Sequence, residues 1–321
     1  SFSMKYANAC FLLFLVAAAA TAQAPRVAPT PADAPTYTET AGTEYVLLPV
    51  VVLDKKGRFV EGLQKKDFRV RVETTAVAPD TFERDDGAPV SMAFLVDTSG
   101  SMEIAQKLEN ARRAIRSIVE ARRSGDDFAL FAFSEGEVRM VADFSSDSRK
   151  ILAALNELSA GGQTALFDAV AATPKLMKGK NAKRAILLFT DGVDNASKLS
   201  PGEMAEILQQ VSTPVYAIGM KNVMYDLLDQ KQREELFVEN LRMLAASSGG
   251  KMFLVGEEDL RPLAAKLNSE VRKQYILGFS PSGRGELKYR VVFVSVAKKG
   301  NWVVRTRRGY RGTAPSTSAS R

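Results

Sequence analysis

The chain has 321 residues, of which 45% are hydrophobic and 25% charged, a balance suited to a globular protein with a sizeable core. It contains no histidine, which excludes Ser-His-Asp and Cys-His catalysis and every His-based transition-metal site. The net charge of +7 is unevenly spread: residues 287–321 carry nine Lys and Arg and no acid. A nucleic-acid surface would interleave such charges with stacking aromatics, so this run reads as solvated strand faces with some attraction to an anionic envelope surface.

The first 22 residues have the pattern of a secretory signal: a lysine after Met4, an apolar stretch from Ala9 to Ala20, then small residues. Cleavage is expected near Ala22-Gln23, with an uncleaved anchor as the alternative. Ser1-Phe2-Ser3 precedes Met4 and reads as a leftover or a misplaced start. The single cysteine, Cys10, lies inside this segment, so the exported chain would have no disulfide. Its expected location is secreted, periplasmic or at the cell envelope. Residues 23–43, rich in Pro, Ala and Thr, read as a disordered linker.

From residue 44 the pattern changes to strands. Tyr45 to Leu53 is an apolar run. Phe68, Val70 and Val72 alternate with Arg69, Arg71 and Glu73, the signature of a half-buried strand. Residues 74–90 are mostly polar, with a turn at Asp85-Asp86-Gly87.

From Ser91 to residue 274 strands alternate with helices. Strands are expected at 92–96, 128–133, 138–144, 185–190, 215–219 and 252–255, the third being an antiparallel edge. Ile104, Leu108, Ala111, Ile115 and Ile118 recur at helical spacing, and further helices are expected at 148–158, 164–178, 203–211, 234–246 and 259–273. Residues 220–233 lengthen one connection. The nearly unbroken apolar strands require cover on both faces, which predicts an α/β fold with a doubly wound, mostly parallel six-stranded sheet. After 274 the pattern returns to strands, at 275–279, 289–296 and 302–306, followed by a polar tail at 312–321. The flanks 44–90 and 275–311 are each too small to be stable alone, so they are expected to pair into one accessory β-sandwich. Phe82, Phe94, Phe131, Phe133 and Trp302 read as packing residues.

The chemistry concentrates at "FLVDTSGSMEI", residues 94–104. Asp97, Ser99 and Ser101 stand at alternate positions where a strand ends. Three roles are open: a nucleophile, a helix cap at Ser101, or part of a metal site. In doubly wound sheets ligands bind at the carboxyl ends of the strands, where the strand order reverses. That places Asp97 beside Asp191, and the loop Gly161-Gly162-Gln163-Thr164 on the same edge. Taken singly, Thr164 reads as a helix cap and Asp191-Gly192 as an ordinary turn. Together, two acids and three hydroxyls with no His or Cys suit a hard dication. Mg²⁺ fits best, with Mn²⁺ or Ca²⁺ as alternatives, and two aspartates leave it short of ligands that a partner's carboxylate could supply.

Asp97-x-Ser99-x-Ser101, then Thr164, then Asp191-Gly192 after an apolar strand, resemble the metal-ion-dependent adhesion site of von Willebrand factor type A (VWA) domains. The resemblance implies Ser99, Ser101 and Thr164 as direct ligands, with Asp97 and Asp191 close in or acting through water. Gly162, Gln163, Gly192 and Asp194 would form the ligand-binding rim. The flanking stretches "VVVLDKKGRFVEGLQKKDFRVRV", "YILGFSP" and "VVRTRRGYRG" are similar to a VWFA-related family described from acidobacteria. The resemblance also implies a last helix, 259–273, whose movement could pass to the C-terminal strands.

The expected function is divalent-cation-dependent adhesion to a protein or other acidic ligand. A structural scaffold in which the metal merely stiffens the crevice is the alternative. A metal-dependent hydrolase is the weakest reading, because a phosphoryl-accepting aspartate needs a second acid two residues on, and that position is Ser99.

Overall fold

The computed structural model describes residues 45–311, except for 85, 174–176, 178–182, 193, 210, 221–227, 256–260 and 282–287, and it leaves the side chains of 228–234 undescribed. The expected signal, linker and tail lie outside these residues, as do 221–227 of the 220–233 connection; its remainder from Leu228 belongs to a helix. Among the described residues no helix is long and apolar enough to cross a membrane.

The central strand β5 (Val90–Asp97) is buried along its whole length. Its side chains alternate between two apolar layers, as the pleat requires. Met92, Phe94 and Val96 face one cluster, with Ala111, Ile115, Leu155, Leu267 and Val271. Ala93 and Leu95 face the other, with Leu166, Val170, Met204, Leu208 and Leu241. The first layer is built by α1 (Lys107–Glu120), α2 (Ser148–Asn156) and α6 (Arg261–Arg272), the second by α3 (Leu166–Ala172), α4 (Pro201–Gln209) and α5 (Leu228–Ser247). Both faces of the sheet are covered, which is why its strands can dispense with polar residues.

The six strands run in the order β10-β9-β8-β5-β6-β7. They are β5, β6 (Asp127–Ser134), β7 (Glu137–Ser145), β8 (Lys183–Thr190), β9 (Val215–Met220) and β10 (Met252–Val255). All neighbours are parallel except β6 and β7, which form an antiparallel hairpin. Glu135 and Gly136 both take positive φ at its tip, +52° and +80°, the backbone of a tight hairpin turn whose twist matches the strands. β5 and β8 lie side by side with Val96 opposite Phe189, so the Asp97 and Asp191 loops leave adjacent strand ends.

The remaining strands come from both flanks. β1 (Val46–Leu53) pairs antiparallel with β11 (Tyr275–Phe279) and with β13 (Val303–Arg305), and β4 (Thr81–Glu83) adds to β11. β2 (Phe68–Val72) pairs with β12 (Tyr289–Val296) and β3 (Thr75–Val77), and β14 (Gly309–Arg311) adds to β12. Each of these four-stranded sheets mixes strands from before and after the α/β segment. One apolar cluster, including Leu48, Val50, Phe68, Val70, Leu277, Phe279 and Tyr310, draws on both sheets, and Trp302 packs at its margin.

Two corrections to the expected elements stand out. The stretch 74–90 holds two short strands, β3 and β4, besides turns. The first helix starts at Lys107, not near Met102 or Ile104. Two single 3₁₀ turns precede it, Gly100–Met102 and Ile104–Gln106, with Ala105 and Gln106 left-handed at φ +53°. That reversal breaks the helical phase, so Ile104 leaves the apolar stripe and is 48% exposed.

α6 joins the α/β segment to the flanks. Arg272, buried near its end, forms an ion pair with buried Asp126, with Nη1 3.1 Å from Oδ1. Burial raises the Asp126 carboxyl, but hydrogen bonds from Arg272 and from the Arg123 and Val90 N–H groups more than offset it, so its pKa is lowered. Arg305 of β13 reaches Glu270 of the same helix at 2.7 Å. After Lys273-Gln274 the chain enters β11 directly.

Candidate functional site

The site forms where two loops leaving strand ends, after β5 and β8, meet the loop between α2 and α3. β5 ends in Asp97, whose carboxylate is completely buried. Its Oδ1 accepts the Ser99 N–H at 2.9 Å, which closes the loop on itself. Its Oδ2 accepts the Thr190 hydroxyl at 2.6 Å, which ties it to the end of β8. Burial pushes this carboxyl up to about 6 against the hydrogen bonds from Thr190 and Ser99, and the nearby Asp191 charge adds to the rise. The Ser99 and Ser101 hydroxyls lie 3.2 Å apart, Ser99 buried and Ser101 half-buried. Neither serine caps a helix through its side chain, because the chain passes into 3₁₀ turns there.

The second loop, 161–164, is fastened to the first by its backbone. The Gly161 N–H donates to the Thr98 carbonyl at 2.7 Å, and the Gly100 N–H donates to the Gly162 carbonyl at 3.0 Å. The Gln163 carbonyl accepts the Glu135 N–H at the hairpin tip, at 2.7 Å. Gly162 and Gln163 are exposed, as a rim requires, and Thr164 is buried. Thr164 does not cap α3 with its side chain; the residue before that helix is Ala165.

Thr164 is instead clamped to the third loop. Its N–H donates to Asn195 Oδ1 at 2.9 Å, and its carbonyl accepts the N–H groups of Asn195 and Ala196 at 3.0 Å each. Gly192 has φ +73°, and a Cβ there would lie 1.5 Å from the Phe237 ring. Glycine is thus required for the turn and for the approach of α5. The Gly192 N–H donates to the Thr190 hydroxyl, 2.9 Å away, so the turn and the Asp97 carboxylate share one anchor. Asp194 is engaged within the third loop and with α3. Its carboxylate accepts the Phe167 N–H at 3.0 Å and both donors of Ser197, so it ties the third loop to the start of α3.

Asp191 is buried, and its surroundings were not anticipated. Its Oδ2 lies 2.7 Å from the ammonium of Lys107, both side chains being 1% exposed. The same ammonium donates to the Ser101 carbonyl at 3.2 Å. Asp191 Oδ1 is buried and finds no hydrogen-bond donor among the described residues. Lys107 and Thr190 are the functional neighbours that the motif alone does not supply.

The structure thus places Asp97, Ser99 and Ser101 on one loop and Asp191 on another, linked through the Thr190 hydroxyl and the Lys107 ammonium, with the Thr164 loop fastened to both through its backbone. Among the described residues no three acids cluster as a carboxylate cage. The donor set is two carboxylates and hydroxyls, a composition that suits a hard cation keeping part of its own shell. The unpartnered Asp191 Oδ1 and the adjacent pair of serine hydroxyls are the kinds of donor such an ion takes. Lys107 already engages the other Asp191 oxygen.

An α/β sheet covered on both faces, with oxygen-bearing loops at its carboxyl edge and one antiparallel edge strand, is a Rossmann-like, doubly wound arrangement. Residues 92–193 match the von Willebrand factor type A domain family, so the chain contains a VWA domain. A comparison with curated proteins finds no significant match. Among solved structures the chain is similar to a von Willebrand factor type A protein from Catenulispora acidiphila, at 15% identity over 85% of this chain and 75% of that one, with a TM-score of 0.48. It is also similar to proximal thread matrix protein 1 of the mussel byssus, at 18% identity over 62% of this chain and 49% of that one, with a TM-score of 0.47. The vWF domain of the type V pili tip protein Mfa5 from Porphyromonas gingivalis matches at 12% identity over 57% of this chain and 94% of that one, with a TM-score of 0.44.

Proposed function

We propose that this chain is an exported, divalent-cation-dependent binding module that recognises an acidic group of a partner protein. Domains of the matched family commonly mediate protein–protein interaction or adhesion. One observation supports the reading: the loop carrying Asp97, Ser99 and Ser101 is linked to the Asp191 loop through the Thr190 hydroxyl and the Lys107 ammonium, and the buried Asp191 Oδ1 has no donor among the described residues. In this reading Ser99, Ser101 and Thr164 ligate Mg²⁺ directly, and Asp97 and Asp191 ligate it or act through water. The ion supplies a positive centre with an open position, and a partner's carboxylate completes the shell. Gly162, Gln163 and Gly192 would line the rim.

We read the two flank sheets as one accessory β-sandwich that presents the VWA domain at the cell envelope, in keeping with the leader and linker read from the sequence. On this view residues 44–90 and 275–311 form one unit around 91–274, arranged as in the VWFA-related family described from acidobacteria. The role is that of a binding protein rather than an enzyme.

The alternative, a scaffold in which a metal merely stiffens the site and does not meet the partner, is favoured by one observation. The Lys107 ammonium already neutralises Asp191 within the crevice. Capture of partners from an envelope extract, run in parallel with Mg²⁺, with EDTA and with Asp97→Ala, separates the two. Partners lost with EDTA and with the variant support metal-dependent binding. Partners retained in all three arms sink it in favour of the scaffold.

A further inference from the structure

We propose that Lys107 is a tethered cation that competes with the divalent ion for Asp191 and so sets the affinity of the site. This rests on the metal reading above. A buried lysine is rare unless paired, and here its partner is one of the proposed ligands. The ammonium sits 2.7 Å from Asp191 Oδ2 and 3.2 Å from the Ser101 carbonyl, both groups belonging to the site loops. A dication bound by Asp191 would meet this ammonium at close range, where two positive charges repel with little water to screen them. The binding of the metal and the retention of Lys107 therefore oppose one another.

Two further features show that helix formation alone does not call for a lysine here. Lys107 is the first residue of α1. The helix dipole disfavours a cation at that end and favours an acid. The two residues before it, Ala105 and Gln106, are both left-handed. Consecutive non-glycine residues in that region are strained, and such strain persists only where surrounding contacts hold it. The Lys107–Asp191 pair immediately follows this segment.

The test is Mn²⁺ binding by the full chain, followed by electron paramagnetic resonance of the free ion and by calorimetry. Wild type is compared with Lys107→Met, which keeps the stem without the charge, and Lys107→Gln, which keeps a donor for Asp191 without the charge. Far- and near-ultraviolet circular dichroism reports folding. Thermal unfolding in EDTA and in Mn²⁺ gives a second readout. Both variants should bind Mn²⁺ at least tenfold tighter than wild type, melt lower in EDTA and gain more from Mn²⁺. Adding Asp97→Ala should abolish the gain.

Unchanged or weaker binding by the folded variants, with wild-type binding intact, overturns the role of Lys107 and leaves the metal reading standing. Binding by the variants but not by wild type supports the role of Lys107 in its strongest form, and overturns metal-dependent function in the native chain. No binding by any of the three overturns both.

Discussion

Replacing Gly192 with alanine should destabilise the protein and loosen the site together. At φ +73° an alanine pays about 1–2 kcal/mol for the left-handed backbone. Its Cβ would lie 1.5 Å from Phe237 Cε2, so the ring or the turn must move. Overpacking of this kind costs about 1–3 kcal/mol. The stiffer unfolded chain returns about 0.4–1 kcal/mol. The net loss is about 1–5 kcal/mol, or roughly 2–20 °C in Tm for a domain of this size. Urea unfolding measures it, and the slope m should not change. Part of the penalty resides in one ring, so Gly192→Ala combined with Phe237→Ala should cost at least about 1 kcal/mol less than the two single changes added together. A single-variant loss below about 0.5 kcal/mol, or strict additivity in the double variant, would refute the packing argument. The Gly192 N–H also fixes the Thr190 hydroxyl that anchors Asp97, so Mn²⁺ affinity should fall in the same variant.

Thr190→Val removes the donor to Asp97 Oδ2 and the acceptor for the Gly192 N–H at nearly constant volume. It should cost about 1–3 kcal/mol in urea unfolding, from buried groups left unsatisfied. Mn²⁺ titration should show affinity reduced roughly tenfold or more, as when a neighbour that orients a ligand is lost. Ala105→Gly should stabilise the protein by about 0.5–1 kcal/mol, since glycine takes the left-handed region without a Cβ clash and gives back part of the gain as chain entropy; a Tm below wild type contradicts it. Asp126→Asn breaks a buried ion pair and should cost about 3–5 kcal/mol at neutral pH. The folded pKa of Asp126 lies below its ordinary 3.8, so the pair's contribution is complete above pH 4 and is lost as pH falls through the folded value. Urea unfolding at pH 6, 4 and 3 should therefore show wild type converging on the variant; parallel curves would refute the assignment.

The sheet was legible because its strands are buried on both faces, and such strands are written as apolar runs. Val90–Asp97 and Lys183–Thr190 could hardly be anything else. The pairing of the flanks was legible in outline for a different reason: neither end had enough strands to bury its own apolar face. The short strands Thr75–Val77, Thr81–Glu83 and Gly309–Arg311 escaped notice. Three residues cannot display a period of two, and these segments are strands because a longer partner supplies the ladder. The start of α1 was misjudged where Ile104 seemed to join the helical stripe. No composition rule announces left-handed Ala and Gln.

The carboxylates were legible because topology fixes strand ends: once β5 and β8 are neighbours, Asp97 and Asp191 must share an edge. Lys107 was not, because its sequence environment is that of an amphipathic helix, where a lysine between apolar residues ordinarily faces water. A helix phase read back through Ala105 and Gln106 cannot show that the first turn opens toward the crevice. The one available signal was electrostatic. With the helix beginning at Lys107, a cation occupies the end that the dipole reserves for anions, and a lysine there needs an acid nearby. Asp191 is that acid. On the metal reading, a motif of five oxygen-bearing residues states which ligands a cation could use, while the Lys107 charge beside Asp191 would set how readily one binds.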